Sequence, residues 1–284
     1  MKIFVGGATG FIGEAIVKVL RARGHEVLGS ARNADAAAKV KALGATPVTA
    51  DLADAATFGA AAKQADAVIQ AASTSDQHSP DYEPKVARAI LDAIKGTQKP
   101  FILTSGVWVY GATKGATEAT PTNPIPLVAW RIPGEQEVLA AGGIVIRPAI
   151  VHGHGKGIPA MMVGAAKKDK RVTVIGDGTN KWPTVHTDDL AELYALLIEK
   201  GERGTIYNGT SGEHETVEQL GKLVAKRFNA DYGTWPVAEA AKVMGPFADA
   251  LALDQTITSP RSMALGWKPK APKLSDELAS GSYG

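Results

Sequence analysis

The chain has 284 residues, enough to bury a large core as one domain or as one domain with a smaller lobe, and its 31 Lys and Arg nearly balance 29 Asp and Glu for a net charge of +2. The absence of cysteine excludes disulfides, thiolate metal sites and a thiol nucleophile. The basic run Lys167-Lys168-Asp169-Lys170-Arg171 has no interleaved aromatics, so it reads as a solvated helix end and argues against a nucleic-acid partner. No apolar stretch reaches membrane-spanning length and the N-terminus opens directly on a core strand, so no membrane partner is expected and the expected compartment is the cytoplasm.

Taken in chain order, short apolar runs at 2–6, 26–30, 46–50, 67–71, 101–104 and 144–147 predict strands. Between them, alanine-rich segments at 12–23, 34–43, 54–64, 83–96 and 134–142 predict helices. Strand and helix alternate, which is the pattern of an α/β fold: a doubly wound parallel sheet of the Rossmann type with right-handed crossovers. After His152 the texture becomes irregular. A loop at 153–158, a helix near 160–169, a strand at 182–186, helices at 188–200 and 217–228 and a Pro/Gly/Ser-richer tail are expected there. The expected organisation is a nucleotide-binding core over 1–152 and a mixed region over 153–284 that completes the sheet and forms a smaller lobe covering the substrate. Met161, Met162, Val163, Trp182 and Trp235 are candidates for an apolar wall of the substrate pocket.

The first strand runs into Gly6-Gly7-Ala8-Thr9-Gly10-Phe11-Ile12-Gly13 and then an amphipathic helix. A dinucleotide-binding turn needs glycine where the backbone bends, where it approaches the pyrophosphate and where helix packs on strand, and Gly7, Gly10 and Gly13 fit those places. The N–H groups at the start of that helix, around Phe11 and Ile12, point at the phosphates. Cofactor choice is read at the end of the second strand, Gly29-Ser30-Ala31-Arg32-Asn33, where no acid is present to hold a ribose diol. Ser30 and Arg32 can donate to a 2′-phosphate, which favours NADP(H), with NAD(H) as the alternative.

Asp51-Leu52 after the third strand, Thr104-Ser105 followed by Val109-Tyr110-Gly111, Arg147-Pro148, Val185-His186-Thr187-Asp188-Asp189-Leu190 and Tyr207-Asn208 join the glycine turn in a set that runs nearly end to end. Together they resemble the extended or atypical short-chain dehydrogenases/reductases of the NAD-dependent epimerase/dehydratase superfamily. The resemblance implies that Asp51 and Leu52 lie near the adenine, that Ala71, Ala72 and Ser73 line the ribose and nicotinamide side, and that Pro148 also borders the cofactor. It implies a small-molecule substrate near Ser105, Glu118, Lys181 and His186, and a homodimer.

In those relatives a serine orients the substrate oxygen, a tyrosine passes a proton, and a lysine four residues later lowers the tyrosine pKa. Here the stretch is Leu127-Val128-Ala129-Trp130-Arg131, with Leu127 in the place of the tyrosine and Arg131 in that of the lysine. Arg131 keeps the charge and can hold the ribose but does not titrate near neutral pH. Ser105 stands one residue before the usual serine, and Tyr110 is the nearest phenol, with packed core as its simpler role. Lys181 replaces the arginine that nucleotide-sugar relatives use on a diphosphate, and Ile150 stands near their missing asparagine. The leading expectation is therefore an NADP(H)-dependent oxidoreductase reducing a carbonyl or conjugated bond of a small organic substrate. The alternatives are a non-catalytic NADP(H)-binding redox sensor and a nucleotide-sugar epimerase or dehydratase. His152-Gly153-His154 lacks a third ligand at a defined spacing, so no metal is expected. His186 reads as a structural residue ahead of Asp188 and Asp189, which are expected to cap the following helix.

Overall fold

A computed structural model describes residues 1–284. The chain opens with β1 (Lys2–Gly6), α1 (Phe11–Ala22), β2 (Glu26–Ala31), α2 (Ala34–Ala42), β3 (Thr46–Thr49), α3 (Ala55–Lys63), β4 (Ala67–Gln70), α4 (Ser79–Ile94) and β5 (Phe101–Thr104). It continues through β6 (Thr113–Ala116), α5 (Arg131–Ala140), β7 (Ile144–Pro148), β8 (Ile150–Gly153), β9 (Lys156–Gly157), α6 (Pro159–Asp169), β10 (Arg171–Ile175), β11 (Lys181–His186), α7 (Thr187–Lys200) and β12 (Ile206–Gly209). The last part comprises β13 (His214–Thr216), α8 (Val217–Phe228), β14 (Asp231–Trp235), α9 (Val237–Met244), α10 (Phe247–Leu251), β15 (Gln255–Ile257), α11 (Pro260–Ala264) and α12 (Leu274–Ser280). No helix is long and apolar enough to cross a membrane.

Seven parallel strands form the central sheet in the order β12-β7-β5-β4-β1-β2-β3. The strand order reverses between β1 and β4, which opens a crevice at their carboxyl ends. Successive residues of a strand face opposite sides, and both sides are covered. Ile3 and Val5 join Ile16, Leu20, Ile102, Ile146 and the α7 residues Leu190, Leu193 and Tyr194 in one core cluster. Phe4 joins Leu28, Phe58, Val68, Val86, Ile90 and Val145 on the other face. The expected doubly wound α/β fold is what the chain adopts.

A third cluster holds Val163, Val172, Val174, Trp182, Leu220, Val224 and Leu278, with Met162 and Trp235 packed against it. It lies beneath the parallel pair β10-β14 and the four-stranded sheet β13-β11-β8-β9. Val163 and Trp182 therefore lie inside this third cluster, Met162 and Trp235 pack against it, and Met161 is exposed, which corrects the expectation that this set walls a pocket.

Two helices begin earlier than the sequence pattern places them. The α4 helix starts at Ser79 because Pro80 fits its first turn, where a missing N–H costs nothing. The α5 helix starts at Arg131, so that residue sits in the first turn beside β5 and not in the loop before the helix.

Candidate active site

The crevice at the β1/β4 reversal is a cleft of about 850 Å³. Gly7, Gly10, Phe11, Ile12, Gly13, Ser30, Arg32, Asp51, Leu52, Ala71, Ala72, Ser73, Ser105 and Arg131 all line it. Gly7 takes a φ of +83°, and a Cβ there would stand 2.7 Å from the backbone nitrogen of Ala72. A Cβ at Gly13 would collide with the carbonyl oxygen of Gly7, so the helix can approach the turn this closely only without a side chain. At Gly10 the only neighbour of an added Cβ is that same oxygen at 3.2 Å. Gly7 and Gly13 thus shape the turn, and Gly10 keeps the cleft in front of the α1 N-terminus clear. That cradle fits the diphosphate of a dinucleotide, with the helix dipole and free N–H groups facing it.

At the β2 end, the Ser30 hydroxyl accepts from Gly7 N–H at 2.7 Å, which leaves its own proton free to donate into the cleft. Arg32 is exposed on the same rim. Asn33 is taken by local structure, since its side chain caps α2 by accepting from Ala36 N–H. Asp51 is also bound locally, accepting from Ala53 N–H, while its residue still borders the cleft with Leu52.

At the β5 end the cleft meets a second cavity of about 300 Å³. The two share Phe11, Ile12, Thr104, Ser105 and Arg131. The second cavity is walled mostly by Val107, Trp108, Val128, Pro148, Ile150 and Ile158, and Arg131 is its one ionisable residue. Pro148 lies here and not in the larger cleft. The Ser105 hydroxyl oxygen is shielded from solvent and has no hydrogen-bond partner. The Arg131 guanidinium lies 4.6 Å over the Trp130 ring, donates to the Thr104 carbonyl oxygen at 3.5 Å, and stands 3.6 Å from the Glu83 carboxylate. Ser73 in turn donates to Glu83 at 2.6 Å.

Sequence reasoning missed Glu83. Its signal is helical phase: Glu83 shares a face with the buried Val86, Ala87, Ile90 and Ile94, so a carboxylate sits where the pattern asks for an apolar residue.

Four expected residues lie elsewhere. Tyr110 is buried, its hydroxyl donating to Asn208 at 2.8 Å with Arg147 4.8 Å over its ring, and burial raises its phenol above the ordinary value. It lines neither cavity, so of its two expected roles the structure agrees with packed core and not with the phenol that donates a proton to substrate. Glu118 is buried in the same network, accepting from the Asn208 backbone N–H at 3.2 Å. Arg147 pairs with Glu135 in a buried bidentate ion pair just behind it. Lys181 is exposed at the start of β11 and its N–H donates to Asp254, away from both cavities. His186 is buried at the end of β11 and borders neither cavity.

His186 is instead the cap of α7, accepting from Asp188 N–H at 3.2 Å. Asp189 accepts from the N–H groups of Lys270 and Ala271 at 2.9 and 3.0 Å, so it ties the C-terminal segment to α7 and does not cap it. Asp188 pairs with His154 at 3.0 Å. One ligand atom each from His154, His186 and Asp188 falls within 4.8 Å of the others. Only His154 of the His152-Gly153-His154 stretch joins this group; the other two members come from the end of β11 and the start of α7, and His152 is not among them. In this arrangement the His186 Nδ1 lone pair is engaged by the helix cap.

Comparison with known proteins agrees with this fold. The chain is 35% identical to an uncharacterized protein of Schizosaccharomyces pombe, with 100% of both chains covered. It is 26% identical to a 4-hydroxy-2-methyl-3-oxo-4-farnesyl-3,4-dihydroquinoline-1-oxide ketoreductase of Stigmatella aurantiaca, over 75% of this chain and 69% of that one. Among solved structures, human epimerase family protein SDR39U1 with NADPH superimposes with a TM-score of 0.79 at 21% identity, covering 99% of each chain. The profile of the NAD dependent epimerase/dehydratase family matches residues 3–208, and with the cleft, the glycine turn and the seven-stranded sheet in place the chain belongs to that family.

Proposed function

We propose that the protein is an NADP(H)-dependent reductase of a carbonyl or conjugated bond in a small, uncharged organic molecule. The observation that carries this reading is the junction at Ser105 and Arg131, where a cleft shaped for a dinucleotide opens into a 300 Å³ cavity walled by apolar side chains. The adenosine phosphate would lie toward Ser30 and Arg32, the diphosphate at the α1 N-terminus, and the nicotinamide toward Arg131.

When bound, NADPH supplies a hydride to the electrophilic carbon. The chain's part is to hold the acceptor against it. The apolar walls orient the body of the substrate. Rotation of the Ser105 side chain brings a hydroxyl without a competing partner to the carbonyl oxygen. The Arg131 guanidinium, its net charge offset by Glu83, offers N–H donors beside the oxygen as negative charge develops there, and the proton that completes the alcohol comes from solvent. A nucleotide-sugar substrate fits this cavity poorly, since Lys181 lies outside it and no cation besides Arg131 is available for a second diphosphate. The same lack of a titrating phenol–lysine pair favours the sensor as the second reading.

The test is NADPH consumption with a panel of ketones, aldehydes, quinones and enones. Turnover that drops at least tenfold in Ser105→Ala, with NADPH affinity unchanged, supports the reductase. Tight binding of NADPH with no turnover on any of them favours the sensor.

A further inference from the structure

The Arg131 end of the cleft carries an unusual charge arrangement. A guanidinium there is held on three sides, by the Trp130 ring, the Thr104 carbonyl and the Glu83 carboxylate. Trp130 is itself fixed, its indole N–H donating to the Leu127 carbonyl at 3.1 Å. Side-chain exposure is 20% for Arg131 and 10% for Glu83, so solvent screens this pair far less than a surface pair. Glu83 is fixed in turn by the Ser73 hydroxyl at 2.6 Å, and Ser73 accepts from Ser75 N–H at 3.0 Å. Glu83, Ser73 and Arg131 all line the cleft.

The two forms of a nicotinamide differ by one charge: the oxidised ring is positive and the reduced ring is neutral. An unbalanced guanidinium beside the ring would repel the oxidised form alone, and a carboxylate at the same place would attract it. We propose that Glu83 sets the relative affinity of the cleft for the two redox forms, cancelling the Arg131 charge at the nicotinamide end so that oxidised cofactor is also held. This rests on the reading of the cleft as a dinucleotide site with its nicotinamide toward Arg131. Glu83 acts through Arg131 and the local field, as a positioning and charge-balancing residue. It takes no part in proton transfer. Its consequence is kinetic as well: without it, oxidised product leaves faster and the bound couple becomes more oxidising.

The experiment is equilibrium titration of NADP+ and NADPH separately, by calorimetry, on the wild type, Glu83→Gln, Arg131→Gln and the double variant. Glu83→Gln is expected to weaken NADP+ about tenfold and NADPH less than twofold. A tenfold change in that ratio raises the potential of the bound couple by about 30 mV. Arg131→Gln alone should shift the ratio the opposite way, and the double variant should return it close to wild type, as a charge-balance mechanism requires. Equal weakening of both forms by Glu83→Gln, or a ratio that does not move, overturns the proposal. Glu83→Asp keeps the charge and guards against a folding artefact: if it fails to restore the wild-type ratio while melting like the wild type, the charge is not the cause. Wild-type protein that binds neither form refutes the underlying assignment of the cleft, which is a different result from bound cofactor with an unmoved ratio.

Discussion

At the scale of single residues, the structure separates two groups that the sequence presented together. Ser30 and Arg32 lie on the cleft rim at the end of β2, where the strand closes on Ala31 with no acid beyond it. A 2′-phosphate placed there meets a guanidinium and a hydroxyl, and a carboxylate would repel it. Arg32→Glu is expected to weaken NADPH by at least tenfold and leave NADH within about threefold, read by fluorescence titration; equal losses would remove the preference. Tyr110 shows the other side of the same lesson. Packed core is legible as its simpler role, but its partner is not, because no spacing rule reports that the Asn208 side-chain oxygen, 98 residues on, accepts its hydrogen bond. Tyr110→Phe leaves a buried acceptor unpaired and is expected to cost about 1–3 kcal/mol in denaturant unfolding with turnover per folded molecule unchanged. A loss of turnover with stability retained would return Tyr110 to the chemistry.

At the scale of elements, the strand and helix alternation through β7 was readable since fully buried parallel strands are short apolar runs and the helices between them keep a 3.6-residue period. Beyond β7 the pairing of strands was hidden. The pair β10-β14 joins segments 60 residues apart, and β14 itself, Asp231–Trp235, alternates too weakly to announce a strand. The junction of β8, β11 and α7 has a measurable signature. His152 is 1% exposed, and burial, helped by the neighbouring His186 and opposed by Glu277, lowers its pKa to about 4 from 6.5. Its ring meets His186 at 5.2 Å, and the His186 ring in turn meets His154 at 5.4 Å and stands 3.6 Å from the Asp188 carboxylate. The native state keeps His152 neutral where the unfolded chain takes up a proton, so the unfolded state binds more protons between these two values. Stability therefore falls as pH drops from 6.5 toward 4, by up to about 3 kcal/mol from this group. His152→Gln should flatten that part of the pH profile relative to wild type in urea titrations. Parallel profiles for the two proteins would show that His152 does not supply the slope.

At the scale of the whole molecule, the question is whether core and lobe respond to a ligand as one body. The chain leaves the central sheet after β7, builds part of the lobe, returns through α7 and β12, and then builds the rest of the lobe. Leu190, Leu193 and Tyr194 of α7 belong to the main core cluster, while Asp189 on the same helix holds the backbone of Lys270 and Ala271. Neither part can lose α7 alone, so a division near residue 152 is expected to mark function more than folding. A ligand that binds only the native state at one hundred times its Kd adds about 2.7 kcal/mol, which for a chain of this size raises Tm by about 5–10 °C. NADPH is accordingly expected to move a single calorimetric transition as a whole, since the cleft is built by elements that share α7 with the lobe. Two transitions, of which only one moves, would make the lobe an independent folding unit. UDP under the same conditions is expected to leave Tm unchanged, because the cavity beside Ser105 offers Arg131 as its sole cation and that charge is already opposed by Glu83. A shift with UDP comparable to that with NADPH would instead mean that a diphosphate finds donors in the lobe, and the nucleotide-sugar reading would displace the reductase.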